Sequence, residues 1–232
     1  MEEELREKGA MARAGELTAG MVHEVRNGLN TILGYARLLE KATSLEPVPE
    51  AAGEIRRECE TLETVVRRFM EFVKQEALHP ARVELRPLLS RVAARESRGG
   101  GGAAIEVDLG GERAVWGDEE LLERAFENLV RNAREAAGPG GRVRVTSVAD
   151  GDRVAVEIAD DGPGMSEEAR RELRPFYKTK PGGLGLGLAL VFKIVRLHGG
   201  ELLLRGRSPR GLSVLVSLPA GPAVSGALPD VT

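Results

Sequence analysis

Five short runs of this chain hold side chains able to do chemistry. Val22-His23-Glu24-Val25-Arg26-Asn27 sets an imidazole beside a carboxylate near the start of an amphipathic segment. Asn128-Leu129-Val130-Arg131-Asn132-Ala133, Asp160-Asp161-Gly162-Pro163-Gly164, Phe176-Tyr177-Lys178-Thr179-Lys180 and Gly183-Leu184-Gly185-Leu186-Gly187 follow in that order. An imidazole that is neutral near pH 7 can attack a phosphorus atom, and Glu24 can take the proton from its other ring nitrogen. Asn128 and Asn132 stand one helical turn apart, so their amide oxygens share a face on which a hard cation can be coordinated. Asp160 closes a strand candidate, where its carboxylate can accept an amino group, and the glycines after it allow a tight turn beside a ligand. Gly183, Gly185 and Gly187 open an apolar helix whose first backbone N–H groups can meet anionic phosphates. Together these chemistries describe phosphoryl transfer from a nucleotide to histidine.

Each run is weak when taken alone. A histidine on a helix surface is usually just solvated, Glu24 and Asn27 are ordinary helix polar residues, and acidic-glycine turns are common. The glycine run also lacks the βαβ unit and later ribose-binding acid of a dinucleotide site. Their fixed order is what makes them informative.

Two helices must carry the first run. Leu17, Met21, Val25, Leu29, Ile32, Ala36 and Leu39 recur at three or four residues between about Arg13 and Lys41, the period of an apolar helical stripe. Ser44 to Pro49, with two prolines, interrupts it, and Ile55, Cys59, Leu62, Val66, Phe69 and Val73 form a second seam that ends before Pro80. His23 lies one step beyond the seam, so its ring points toward solvent. A hairpin of two such helices cannot cover both seams, which predicts a homodimeric four-helix bundle.

Beyond Pro80 the pattern changes to a short helix near Leu85 to Glu96, a Gly99 to Gly102 run and a series of alternating strands. Strands are expected near Ile105 to Leu109, Ala114 to Trp116, Val143 to Val148, Val154 to Ala159, Leu202 to Arg205 and Leu212 to Leu218. With helices near Glu119 to Ala137 and Leu186 to His198, they predict one sheet covered on one face by helices. The domain plan is a short extension over 1–12, a helical hairpin over 13–79, an α/β domain over 80–219 and a disordered Gly-, Pro-, Ala- and Ser-rich tail over 220–232.

Composition narrows the class. The formal charge is −3, with 33 basic residues interleaved among 36 acidic ones, so no basic field suits nucleic acid. The single cysteine, Cys59, excludes an internal disulfide or thiolate metal cluster and suits a reducing cytoplasm. No run approaches the roughly 20 apolar residues that span a bilayer, so a soluble protein without membrane insertion is expected. About twenty residues precede His23, so a stimulus is expected through a separate sensory protein, the short extension or the core itself.

From about His23 to Pro219 the chain resembles a sensor histidine kinase core, closest in flavour to nitrogen-regulation-type kinases. The resemblance implies a dimerisation and phosphotransfer hairpin followed by a Bergerat-type ATP-binding domain, a two-layer α/β sandwich with a mixed sheet. It implies ATP and Mg2+ as cofactors, His23 as the phosphoryl acceptor with Glu24 as base, and a response regulator receiver domain as partner. Asn27 completes a His-Glu-x-x-Asn pattern and implies phosphatase activity toward that regulator. Asn132 is implied as the principal magnesium ligand, Asn128 as its neighbour, and Asp160 with Gly162 and Gly164 as the adenine-binding turn. Met165 to Gly182 corresponds to an ATP lid with Lys180 as a phosphate contact, and Gly183, Gly185 and Gly187 to the phosphate cradle. Gly28 stands where relatives usually carry proline, and Leu184 where a small hydroxyl residue is common. Two other readings are a non-enzymatic scaffold or phosphotransfer bundle with a decayed ATP domain, and an ATPase of the gyrase and chaperone superfamily. Intact Asn132, Asp160 and the glycines oppose the first. Asn128, standing where that superfamily has its water-activating glutamate, opposes the second.

Overall fold

The computed structural model describes residues 22, 25–45, 47–74, 77–98, 102–110, 113–167 and 186–221. They fall into two compact units, the helices before residue 75 and the elements that follow. The first unit contains α1, helical over residues 25–40, and α2, Val48–Val73. Pro47 precedes α2 and Pro49 lies in its first turn, where no backbone N–H is needed for the helical ladder. α1 therefore ends earlier and α2 begins earlier than the expected break from Ser44 to Pro49, at residue 40 and Val48.

The two helices approach closely at Gly28, which is buried. A Cβ at Gly28 would sit 2.6 Å from Glu58 Oε1 and 2.8 Å from Leu62 Cδ2. Of the expected seam on α2, Leu62 and Phe69 are half-buried, whereas Val66 is 43% exposed and the adjacent Val65 is buried. Leu29 on α1 is 49% exposed, and Leu33, Met70 and Val73 are also open. A groove of about 510 Å3 is lined by Val25, Leu62, Glu63, Val66 and Arg67.

The second unit is built from β1 (Ala81–Glu84), α3 (Leu85–Ser97), β2 (Ala104–Leu109), β3 (Ala114–Gly117), α4 (Glu119–Ala137), β4 (Arg142–Asp150) and β5 (Arg153–Asp160), completed by α5 (Leu186–Leu197), β6 (Glu201–Gly206) and β7 (Leu212–Pro219). Five strands form a mixed sheet in the order β2-β4-β5-β7-β6, with β2 and β4 parallel and the other neighbours antiparallel. Its inward side chains, including Val143, Val145, Val156, Ile158 and Val216, share one core with α3, α4 and α5. The opposite sheet face carries Glu106, Arg144, Glu157 and Arg205, as the period of two requires.

One expectation needs correction. β3 does not enter the large sheet; it pairs with β1 in a separate two-stranded sheet, Val83 opposite Val115. Ala81-Arg82-Val83-Glu84 alternates apolar and charged residues, but over only four residues that is too short a run for β1 to be recognised from sequence.

α4 carries the two asparagines, and its ends are well defined. Leu121, Leu122, Ala125, Phe126, Leu129, Val130 and Ala133 are buried at helical spacing, which leaves Asn128 and Asn132 at the border of the packed face. Gly138 at φ 70° stops the helix. Arg91 and Arg95 of α3 reach Glu119, Glu123 and Glu127 of α4, but such exposed pairs contribute only fractions of a kcal/mol.

Asp118 caps α4 from a buried position. Its Oδ1 accepts from Leu121 N–H at 3.2 Å and its Oδ2 from His79 N–H at 3.0 Å. The Asp118 N–H donates to His198 Nε2 at 2.9 Å, and His198 Nδ1 is bonded to Ile194 O at 2.7 Å. Burial pushes the Asp118 carboxyl up, but the N–H groups of His79 and Leu121, nearby His198 and the Glu120 N–H outweigh it and hold the carboxyl below its usual range. Asp118→Ala is expected to cost about 2 kcal/mol through the lost cap and the orphaned His79 donor. Because the folded carboxyl is lowered, that stability is present above the unfolded value and is lost as pH falls through the folded value. Chemical denaturation should show a clear gap between wild type and variant at neutral pH that closes in acid; equal midpoints at pH 7 would refute this role.

Candidate nucleotide site

The asparagine helix, the Asp160 turn and the start of α5 meet in the second unit. Asn128 Nδ2 donates to Arg124 O at 2.8 Å, which fixes the amide and directs its oxygen away from the α4 backbone. A Cβ at Gly187 would lie 3.1 Å from Asn128 Oδ1 and 3.8 Å from Asn132 Nδ2. Gly187 in the first turn of α5 thus faces both amides, and only hydrogen stands between its backbone and Asn128. Asn132 is exposed and Asn128 half-buried.

Asp160, the last residue of β5, is only 3% exposed. Its Oδ1 accepts from Gly162 N–H at 2.9 Å and from Leu212 N–H at 3.4 Å. Both bonds go to the same oxygen, and Oδ2 remains for a ligand. Burial pushes the carboxyl above its usual range and Asp161 adds to that shift, while the two N–H groups and the Arg207 guanidinium oppose it. Gly162 packs so tightly on the end of α4 that a Cβ there would lie 2.6 Å from Ala136 O. Gly164 has φ 75°, a backbone region that side chains disfavour. Asp161 accepts from Arg142 N–H at 2.9 Å and ties the turn to β4.

The structure therefore brings together Asn128, Asn132, Asp160, Gly162, Gly164 and Gly187. Asn27 is exposed on α1, in the other unit. His23, Glu24, Lys180, Gly183 and Gly185 lie outside the described residues, as do Phe176, Tyr177 and most of the 220–232 tail. The tip of the β6–β7 hairpin, which bonds to Asp160 through Leu212 and Arg207, was not anticipated. Ser208-Pro209-Arg210-Gly211 signals a turn, but a turn signal does not reveal what the turn packs against.

The donor set suits a magnesium-bound nucleotide. Two neutral amides offer oxygen to a hard cation without cancelling the charge that it presents to phosphates. A glycine at the opening of a helix leaves room beside them, and a buried carboxylate waits at the end of the neighbouring strand. Among the described residues no cluster of three His, Cys, Asp or Glu side chains could hold a metal ion.

Residues 117–222 match the family model described as histidine kinase-, DNA gyrase B- and HSP90-like ATPase, and residues 13–78 match the His kinase A phospho-acceptor domain. The signal transduction histidine-protein kinase AtoS of Escherichia coli is 30% identical over 91% of this chain and 36% of its own length. The solved mycobacterial sensor histidine kinase MprB is 32% identical at a TM-score of 0.56, over 62% of this chain and 99% of that one. Histidine kinase ThkA, solved in complex with response regulator protein TrrA, is 26% identical at a TM-score of 0.75, over 95% of this chain and 66% of that one. The chain spans between about a third and a half of the length of the curated relatives it matches. Among the described residues no helix is long and apolar enough to cross a membrane. With an ATPase-type match over 117–222, a phospho-acceptor match ahead of it over 13–78, and the relatives above, the chain belongs to the sensor histidine kinase family.

Proposed function

We propose that the chain is an ATP-dependent protein-histidine kinase of a two-component system that phosphorylates His23 and passes the phosphoryl group to an aspartate of a response regulator. The observation that carries this reading is the convergence of Asn128, Asn132 and Gly187 beside buried Asp160, in a chain whose phospho-acceptor match includes His23. The working division is a phosphotransfer hairpin over 13–79 and an ATP-binding domain over 80–219. Unpaired, exposed Cys59 supports a reducing, cytoplasmic setting.

In this mechanism Asp160 Oδ2 accepts the adenine amino group, and Gly162 and Gly164 shape the turn that holds it. Asn132, supported by Asn128, would hold magnesium, which would neutralise charge on the phosphates. Gly183, Gly185 and Gly187 receive the phosphates on backbone N–H groups, and Lys180 adds a positive charge. One His23 nitrogen attacks the γ-phosphorus, a P–N bond forms, the bond to the β-γ bridging oxygen breaks, and ADP leaves. Glu24 takes the proton from the other ring nitrogen. An amide at position 128 cannot take a proton from water, which favours histidine over water as the acceptor.

Incubation with magnesium and γ-labelled ATP is expected to give an acid-labile, base-stable phosphoprotein that transfers its label to a receiver domain. A label stable in acid would overturn the histidine assignment. Asn27, exposed one helical turn from His23, is proposed to orient water toward the regulator's aspartyl phosphate. In the same assay Asn27→Ala should keep the label but slow decay of the phosphorylated regulator; unchanged decay would remove this role.

The chain is further proposed to work as a homodimer. Leu29, Leu33, Val66, Met70 and Val73 form an apolar surface on the hairpin that a single chain leaves in water. Light scattering should report twice the chain mass, and a fully helical monomer at micromolar concentration would contradict the proposal.

A further inference from the structure

The β6–β7 hairpin ends against Asp160, and Arg207 is its anchor. Arg207 N–H donates to Gly211 O at 3.0 Å and closes the hairpin tip. The Arg207 guanidinium donates through Nη1 to Asp160 O at 2.9 Å. Gly211, at φ 109°, lies so close to Asp160 that any Cβ would collide with the Asp160 carbonyl oxygen. On the other side of the turn, a Cβ at Gly164 would lie 2.8 Å from Gly211 O. Leu212 N–H completes the contact by donating to Asp160 Oδ1.

Asp160 is thus gripped at its carbonyl by Arg207 and at one carboxylate oxygen by Leu212 and Gly162. The bonds from Gly162 and Leu212 both fall on Oδ1 and leave Oδ2 over. We propose that Arg207 is a positioning residue for adenine selectivity: its bond to the Asp160 carbonyl holds the end of β5 so that Asp160 Oδ2 faces the amino group of the base. The inference rests on the reading of Asp160 as the adenine-binding residue. A carboxylate held in this orientation accepts from the amino group of adenine and repels the carbonyl oxygen that guanine presents at the same place. With the Arg207 bond gone, the strand end and the hairpin tip can separate, and the carboxylate loses its aim. Selectivity suffers first. Arg207 also brings a positive charge toward a buried carboxylate, which favours the ionised, accepting form.

The test is calorimetric titration of the full chain with ADP and with GDP. Arg207→Ala is expected to lose about ten-fold in ADP affinity, the size of one charge-assisted hydrogen bond, while the weaker GDP affinity stays as it was. Selectivity for adenine then falls by the same factor, and Arg207→Lys, which keeps a charged donor, should recover most of it. In steady-state labelling the loss should appear in the KM for ATP with kcat retained. Arg210→Ala, on the same turn, controls for the general charge of the hairpin and should leave selectivity unchanged. Arg207→Met, close in length and without polar atoms, carries the test if the alanine variant fails to fold. Equal losses for ADP and GDP would show a merely structural contact and overturn the proposal, as would wild-type affinity for both. Asp160→Asn run in parallel separates the two levels. If it binds ADP normally, the adenine reading itself falls; if it is impaired while Arg207→Ala is not, only this inference falls.

Discussion

His23→Ala is expected to abolish phosphorylation of the chain while leaving ADP affinity unchanged. The described residues proposed to bind the nucleotide, Asn128, Asn132, Asp160, Gly162, Gly164 and Gly187, belong to the second unit, and the substitution leaves each of them in place. The chain has three histidines, and the structure narrows the competition between them. His198 is buried with both ring nitrogens engaged, Nε2 by Asp118 N–H and Nδ1 by Ile194 O, so it has no free lone pair for an incoming phosphorus. His79 is exposed and is the only rival acceptor among the described residues. Labelling of wild type, His23→Ala and His79→Ala therefore decides the matter, because loss confined to His79→Ala would move the phosphorylation site into the second unit.

Asp160→Asn should reduce ADP affinity about 100-fold, or close to 3 kcal/mol, without unfolding the domain. The amide oxygen can keep the bonds from Gly162 and Leu212, so the turn retains its internal partners. The cost falls on the ligand, since an NH2 group would confront the adenine amino group, donor against donor. Wild type should also show a pH dependence that the variant lacks. Burial raises the carboxyl of free Asp160, and a bound amino group favours its ionised form. Binding is therefore full above the raised value and weakens as pH falls through it. Calorimetry from neutral to mildly acidic pH measures both effects, and an unchanged affinity with matching pH profiles would displace adenine from this pocket.

Long elements with a clear period were legible in the sequence. The expected Glu119 to Ala137 helix matches α4 in full, because Asp118 before it and Gly138 after it are strong stop signals and seven apolar residues keep one phase between them. The strands from β4 to β7 were each placed to within a residue or two, since buried Val, Ile and Leu alternate there. The small sheet was not legible. β1 is four residues long, and its partner β3 has an apolar pattern that would suit either sheet. The motif residues were recognisable by type and order, but their surroundings were not. Asp160 takes its unusual environment from Leu212 and Arg207, some fifty residues away in sequence, and a contact of that kind leaves no periodic trace.

The missing side chain at Gly28 couples the two helices of the hairpin. With Leu62 Cδ2 and Glu58 Oε1 seated where a Cβ would project, the shape of α1 at this point has become a condition on α2. A chimaera that imports α1 from a relative with proline there would bring in a ring that the Glu58 and Leu62 side chains must move aside to admit. Exchanging Leu62 and Glu58 together with Gly28 would spare that rearrangement. Hairpin grafting between members of the family thus calls for matched side chains at the crossing point, five residues beyond His23 in sequence.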